Sequence, residues 1–333
     1  MFATLDIAGM NYLDGRYELD HELFPNRVIV GSETFPTHID HLWGLVTKYP
    51  HVIGDFTWTG WDYLGEVGVG RPQYADEPGG FAGDYPWLTA WVGDLDITGV
   101  RRPASYYREI VFGLRSTPYL AIRRPEGYGR HMVSSPWAWT DSLSTWTWAG
   151  REGKPMVVEV YSDADEVELL LNGNPLGRKP LSRYRTEFEV PFTPGTVTAV
   201  AYRDGAETGR SELRTASGEV RLAVTVDRPV ISAGVDDLAF VDITLVDADG
   251  VVCTGTSRRV EVTVEGPGTL QGLGSGDPRN AEPFTDATHP TFDGRALAVI
   301  RPTGPGEIRV RVTDDTGLST DVLVVAEKTG ERS

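Results

Sequence analysis

The sequence predicts a mixed fold, an α/β region of parallel strands and helices followed by all-β sandwich domains. Three observations predict it. All nine tryptophans, from Trp43 to Trp148, precede residue 150, whereas the remainder is rich in Val, Thr, Gly and Asp. In the first region continuous apolar runs alternate with helix-like stretches, the pattern of strands buried on both faces and joined by crossover helices. From about residue 137 apolar and polar residues alternate instead, the period of strands with one buried face.

Taken in order, LDIAGMNY reads as a first strand and YELDHELFP as a helix after it. RVIVGSE is a second strand, PTHIDHLWGLVTKYP a second helix and HVIGDFTW a third strand. ASYYREIVFGL reads as a further helix that starts after Pro103, with Ser105 as its cap. Three strands neither close a barrel nor shield a parallel sheet, so this unit reads as the end of a larger one. VVEVYS, EVELLLNG, TEFEVPF and TVTAVAYRDG then describe one sandwich, in which Asn172 and Gly173 supply the positive backbone angles of a tight hairpin turn. RLAVTVD, AFVDITLVDADG, RRVEVTVEG, RALAVIR and GEIRVRVTDDTG, each bounded by Gly, Asp or Pro, describe a second. The expected divisions are 1–117 for the α/β part, 118–216 and 217–327 for the sandwiches, with the joint between them at Thr215 to Gly218, and 328–333 for a flexible tail.

A net charge of −17 and a pI near 4.8 exclude nucleic acid and anionic membranes as expected partners, because both reward basic patches. A small or neutral substrate fits better. No run approaches the ~18 apolar residues of a membrane span, and MFATLDIAGMNY lacks the basic and apolar regions of a signal peptide, so a cytoplasmic protein is expected. The single cysteine, Cys253, allows neither an intrachain disulfide nor a cysteine-built metal site, and reads as a half-buried strand residue.

Glu33 stands where a strand gives way to a loop, the place where parallel β/α folds carry chemistry; a surface carboxylate at a helix start is the plainer alternative. Asp55, Asp62 and Glu66 are interleaved with Trp58, Trp61 and Tyr63 in GDFTWTGWDYLGE, a mixture that suits stacking on the C–H face of a sugar and hydrogen bonding to its hydroxyls, and that equally suits aromatic packing under solvated acids. His38 and His41 share a helical face but lack the third ligand of a zinc site. Gly272, Gly274 and Gly276 in QGLGSGDP read as a turn, because no helix follows to make a phosphate loop. Asp247 to Gly250, DADG, reads as a hairpin turn and lacks the terminal Glu of a calcium-binding loop. No cofactor and no metal is expected.

Several of these stretches occur in an order that resembles the C-terminal half of family 2 glycoside hydrolases, in particular the β-galactosidase-like members. They are NY after the first strand, RVIVGSETFP, DFTWTGWDYLGE, GDLDITGVRRPASYYREIVFG, PWAWTDSLSTWTW with VELLLNGNPLGRK, and QGLGSGDP with FTDATHPTFDGRALAVIR. Nearly the whole chain is covered. The resemblance implies the last three strands of a (β/α)8 barrel followed by two immunoglobulin-like sandwiches, and a carbohydrate substrate cleaved with retention at a terminal β-linked sugar. It makes Glu33, at the strand-seven tip, the catalytic nucleophile. Tyr12 becomes the tyrosine that orients it, Trp58 the aromatic lining the sugar subsite, and Asp62 a contact to a sugar hydroxyl.

One departure from the family pattern bears on activity. The family's acid/base glutamate follows an asparagine on strand four, and this chain contains no Asn-Glu dipeptide. Without its acid a glycosidase loses leaving-group protonation, worth about 10² to 10⁴-fold. The isolated chain is therefore expected to be inactive, with the N-terminal half of the same enzyme as its partner. The alternative is a carbohydrate-binding or scaffold module whose sandwiches are the working parts.

Overall fold

The computed structural model describes residues 2–234 and 236–328; of the expected tail, 329–333 lie outside the described residues. Strands dominate and helices are few. The chain divides into two compact units, one made of residues up to Trp146 with Arg151–Leu213, the other of Thr147–Gly150 with the residues from Arg214 onward.

The first unit begins with three parallel strands, β1 (Ile7–Asn11), β2 (Val28–Thr34) and β3 (Val52–Thr57), in the order β1-β2-β3. Helix α1 (Tyr17–Leu23) connects the first pair and α2 (Ile39–Lys48) the second. Ala8, Met10, Ile29 and Val52 are buried with Tyr17 on one face of this sheet, and Leu45, Val46 and Tyr49 pack against them. The opposite face is less covered: Ile7 is 47% and Ile53 55% exposed. Each strand thus alternates, although the apolar runs predict burial on both sides.

Helix α3 (Pro103–Val111) opens with Pro103 at its first position, where a missing N–H costs nothing. The residue before it, Arg102, holds the cap position without a side-chain bond. Ser105 is not the cap. It lies inside the first turn, and its Oγ accepts from Arg101 Nε at 2.8 Å. Ala104, Tyr107, Ile110 and Val111 pack with Ile39 of α2 and with Tyr119, Ala121 and Tyr161 of the following strands. Tyr107 donates its hydroxyl to the Arg183 carbonyl at 2.8 Å, and Arg183 pairs with Asp40 of α2 at 2.6 Å.

Those following strands form two four-stranded antiparallel sheets. β4 (Tyr119–Arg123), β5 (Ser142–Leu143), β6 (Pro155–Tyr161) and β9 (Arg185–Pro191) run in the order β5-β4-β6-β9. β7 (Glu166–Leu171), β8 (Asn174–Pro180), β10 (Thr196–Arg203) and β11 (Ala206–Arg214) run β11-β10-β7-β8. Alternate residues of both sheets are buried, among them Met156, Val158, Val167, Leu169, Val197 and Ala199. The β7–β8 turn carries Asn172 and Gly173 at φ 51° and 79°, as the hairpin signal predicts.

In the second unit β12 (Arg221–Val226), β14 (Ala239–Val246), β16 (Gly268–Gly274) and β18 (Arg295–Pro302) make a sheet ordered β12-β14-β18-β16. The other sheet is ordered β13-β20-β19-β15-β17, from β13 (Val230–Ser232), β15 (Arg259–Glu265), β17 (Thr288–Pro290), β19 (Gly306–Asp314) and β20 (Ser319–Glu327). Val241, Ile243, Ala298 and Ile300 from the first meet Val262, Val310, Val312 and Val324 from the second in one core.

Two expectations change here. Gly272 and Gly274 lie within β16 rather than in a turn; a Cβ at Gly274 would stand 2.8 Å from the Phe284 ring, so close packing is the reason for that glycine. Cys253 is 6% exposed and sits just outside a strand, beside the Val246–Val252 bridge. The DADG stretch is a tight turn, with Asp247 Oδ1 accepting from the N–H groups of Asp249 and Val251, both at 2.9 Å.

Candidate active site

The C-terminal ends of the three parallel strands converge by backbone pairing alone. Asn11 of β1 is in register with Glu33 of β2. Just beyond β1, Tyr12 donates its N–H to the Glu33 carbonyl, and Trp58, just beyond β3, donates to the Thr34 carbonyl, both at 2.9 Å. Gly31 is required for the approach, because a Cβ there would fall 2.7 Å from the Tyr17 hydroxyl and 2.8 Å from Thr34 Cγ2. The Thr34 hydroxyl donates to Asp55 at 2.8 Å, which ties the tips of β2 and β3. Three of the four expected site residues, Tyr12, Glu33 and Trp58, are thereby anchored at one sheet end.

Aromatic rings fix Tyr12. Its backbone is left-handed, at φ 52°. Its ring stacks on Phe35 with centroids 4.3 Å apart and meets the edge of Trp137 at 5.7 Å. The Trp137 indole N–H donates to the Tyr12 hydroxyl oxygen at 3.1 Å. Burial raises the Tyr12 pKa above its ordinary value and the neighbouring Glu33 charge adds to the rise, against the Trp137 bond that lowers it. The phenol stays protonated, an O–H donor beside a carboxylate.

Trp58 is held on the other side. Its indole N–H donates to the Tyr63 hydroxyl at 3.1 Å, and that hydroxyl donates to the Glu66 carboxylate. Burial, then the Glu66 bond, raises the Tyr63 pKa, so this relay also stays protonated.

Asp62 does not join the group. Its side chain is 1% exposed and pairs with Arg102 at 3.1 Å. Oδ1 accepts from the N–H groups of Val92 and Gly93 at 2.8 and 2.6 Å. A carboxylate so engaged holds its loop together and has no face for a sugar hydroxyl. His38 packs against the Phe35 ring at 5.3 Å, while His41 approaches Asp14 at 3.3 Å. Among the described residues no cluster of three or more His, Cys, Asp or Glu is placed to hold a metal.

Residues 222–323 match the model of glycoside hydrolase family 2 C-terminal domain 5, and residues 153–209 match a domain of unknown function, DUF4982. The β-galactosidase BoGH2A of Bacteroides ovatus is 29% identical over 293 residues, which cover 87% of this chain and 30% of that protein. A putative β-glucuronidase of Formosa agariphila is 24% identical over 294 residues, 86% of this chain and 25% of the relative. The crystal structure of a glycosyl hydrolase family 2 member from Bacteroides cellulosilyticus is 31% identical and superposes with a TM-score of 0.87, covering 98% of this chain and 43% of that one. Over nearly its whole length the chain is similar to family 2 glycoside hydrolases. It corresponds to the C-terminal part of such enzymes and spans less than a third of the length of these curated relatives.

The sheet end presents the half-buried Glu33 carboxylate, flanked by a protonated phenol and an indole, while the Asp55 carboxylate nearby accepts from the Thr34 hydroxyl. That set can present a nucleophile to an electrophilic carbon and give a ring an apolar surface to lie on. Sequence reasoning missed Phe35 and Trp137, and it named Tyr63 among the aromatics of its stretch without its bond to Trp58. Trp137 stands 125 residues from Tyr12, and only its place in an aromatic-rich stretch hints at a role.

Proposed function

We propose that this chain carries the nucleophile side of a retaining β-glycosidase site, on the last three strands of a (β/α)8 barrel followed by two immunoglobulin-like sandwiches. The observation that carries the reading is Glu33 at the tip of the middle parallel strand, with the Tyr12 phenol beside it. In the complete site the Glu33 carboxylate attacks the anomeric carbon while the bond to the leaving oxygen breaks. A second carboxylic acid, supplied from outside these residues and about 5 to 5.5 Å from Glu33, protonates that oxygen. Water then displaces Glu33, with the second group acting as base, and configuration is retained. Tyr12 positions the nucleophile, and Trp58 receives the C–H face of the sugar. β-Galactosides are the first substrate class to try and β-glucuronides the second, after the printed activities of the relatives.

The test is reconstitution. The chain is mixed with a polypeptide supplying the preceding sandwich and barrel strands of a family 2 enzyme and assayed on chromogenic β-galactosides and β-glucuronides. Activity appears only on mixing and falls at least 10³-fold with Glu33→Gln, about the effect of losing a catalytic group that acts as a unit with others. Activity that survives the substitution rules out Glu33 as nucleophile. A 2-deoxy-2-fluoro glycoside adds one glycosyl mass to the wild type and none to the variant.

A further inference from the structure

A cavity of about 330 Å³ opens in the first unit against strands β4, β6 and β9. It shares no lining residue with the Glu33, Tyr12 and Trp58 group. Tyr74, Tyr128, Met132 and Met156 give it apolar walls, and Asp141 and Glu189 bring acceptors to it. The Tyr74 strap is fixed to the Met132 segment by an antiparallel bridge, with Val133 N–H donating to the Gln73 carbonyl at 2.8 Å.

The polar groups of this cavity are already ordered. Arg130 lies 4.0 Å over the Tyr74 ring, held by Asp76 at 2.8 Å and Glu77 at 2.6 Å. Arg124 pairs with Asp141 at 3.2 Å, Arg123 with Glu159 at 2.6 Å, and the Tyr128 hydroxyl donates to Glu189 at 2.9 Å. Little side-chain entropy remains to be lost on binding. The Tyr74 hydroxyl is the exception, making no hydrogen bond among the described residues. Gly127 makes room for it, since a Cβ there would lie 2.1 Å from its oxygen. Burial, then the charge of Asp141, raises the Tyr74 pKa, which keeps it an O–H donor.

We propose that this cavity binds one neutral sugar ring, a hexopyranose unit. Every arginine lining it has a carboxylate partner, so no uncompensated positive charge favours phosphate or a carboxylate ligand. It offers aromatic and thioether surface beside fixed donors and acceptors, and a pyranose presents the complement, a C–H face rimmed by hydroxyls. The volume lies at the low end of small-molecule pockets, about 300 to 1,000 Å³, and suits a single ring. The proposal stands whether or not Glu33 is a nucleophile.

Four methionines make the test direct. Met132 and Met156 line the cavity, while Met10 is fully buried under the parallel sheet. The full chain, labelled with ¹³C at the methionine methyls, is titrated with methyl β-D-galactopyranoside and methyl β-D-glucopyranoside into the tens of millimolar, a range set by the roughly millimolar affinity of so small a ligand. At least one glycoside shifts the Met132 and Met156 signals saturably and leaves Met10 in place. Tyr74→Phe weakens binding roughly fivefold or more, and Gly127→Ala abolishes it with the Met10 signal unchanged, which reports an intact fold. Trp58→Ala leaves the shifts as they are. The proposal is overturned if neither glycoside gives saturable shifts, if inorganic phosphate gives them at lower concentration than either sugar, if Tyr74→Phe and Gly127→Ala bind like the wild type, or if Trp58→Ala removes them.

Discussion

The Asp62 carboxylate lies beneath Arg102 with two backbone N–H groups aimed at it. Removing one partner of a buried pair leaves the other uncompensated, at a cost of about 3–5 kcal/mol. Asp62→Ala is therefore expected to lower stability by that amount in denaturant unfolding, whereas a residue kept only to touch a sugar would leave stability unchanged on truncation. Asp237 provides a pH test in the second unit. The Arg228 guanidinium and the Ser232 N–H, with the Leu238 N–H adding less, lower its pKa from 3.8 to about 2. A carboxylate whose folded pKa lies below its unfolded value stabilises the fold above the unfolded value and loses that contribution as pH falls through the folded one. The wild type should thus lose stability relative to Asp237→Asn between about pH 4 and pH 2, and the two should run parallel above that window. A difference confined to neutral pH would contradict the assignment.

At the scale of elements, two neighbouring loops of the first unit are clamped by one side chain. Asn172 in the β7–β8 turn accepts from Thr196 N–H at 2.8 Å and donates to the Pro194 carbonyl at 3.1 Å. Gly195 lets it in: its φ is 132°, and a Cβ would fall 1.9 Å from the Asn172 amide oxygen. Gly195→Ala is expected to expel the amide and strain the backbone together, lowering stability by about 2–4 kcal/mol. Asn172→Ala should cost about 1–3 kcal/mol, and the pair should be less than additive because both break the same clamp. Thermal or denaturant midpoints of the three variants check this. Strands such as β14 and β18, whose buried and open positions alternate, were legible in the sequence because that alternation is the signal itself. β8 was not: all seven of its residues are exposed, and two are proline. Backbone pairing to β7 makes it a strand, and composition does not record pairing. Glu33 was legible as a carboxylate at a strand tip. The engagement of Asp62 was not, because its partners arrive from residues 92–102 along a loop without periodicity.

For the whole molecule, the parallel sheet and the second-unit sandwich differ in how much holds each strand. In the sandwich, Val241, Ile243, Ala298, Ile300, Val310 and Val312 are fully buried between two sheets. The parallel sheet has one covered face and only three strands, so β1 and β3 are each paired on a single side among the described residues. Ile7 and Ile53 stand half exposed on those edge strands, and Phe56 is 66% exposed. Local opening is easiest where few apolar contacts must be broken, and an uncovered strand edge is a template for further pairing. Native-state amide exchange should therefore find β1 and β3 opening well below the global unfolding free energy, while β14, β18 and β19 exchange only with global unfolding. Equal protection across both regions would contradict this. The same measurement bears on the proposed enzyme. If the remaining strands of a barrel pair with these edges, adding the complementary polypeptide should slow exchange in β1 and β3 selectively. Slowing spread over the sandwiches instead would place the partner elsewhere and leave Glu33 without the neighbours that a retaining glycosidase requires.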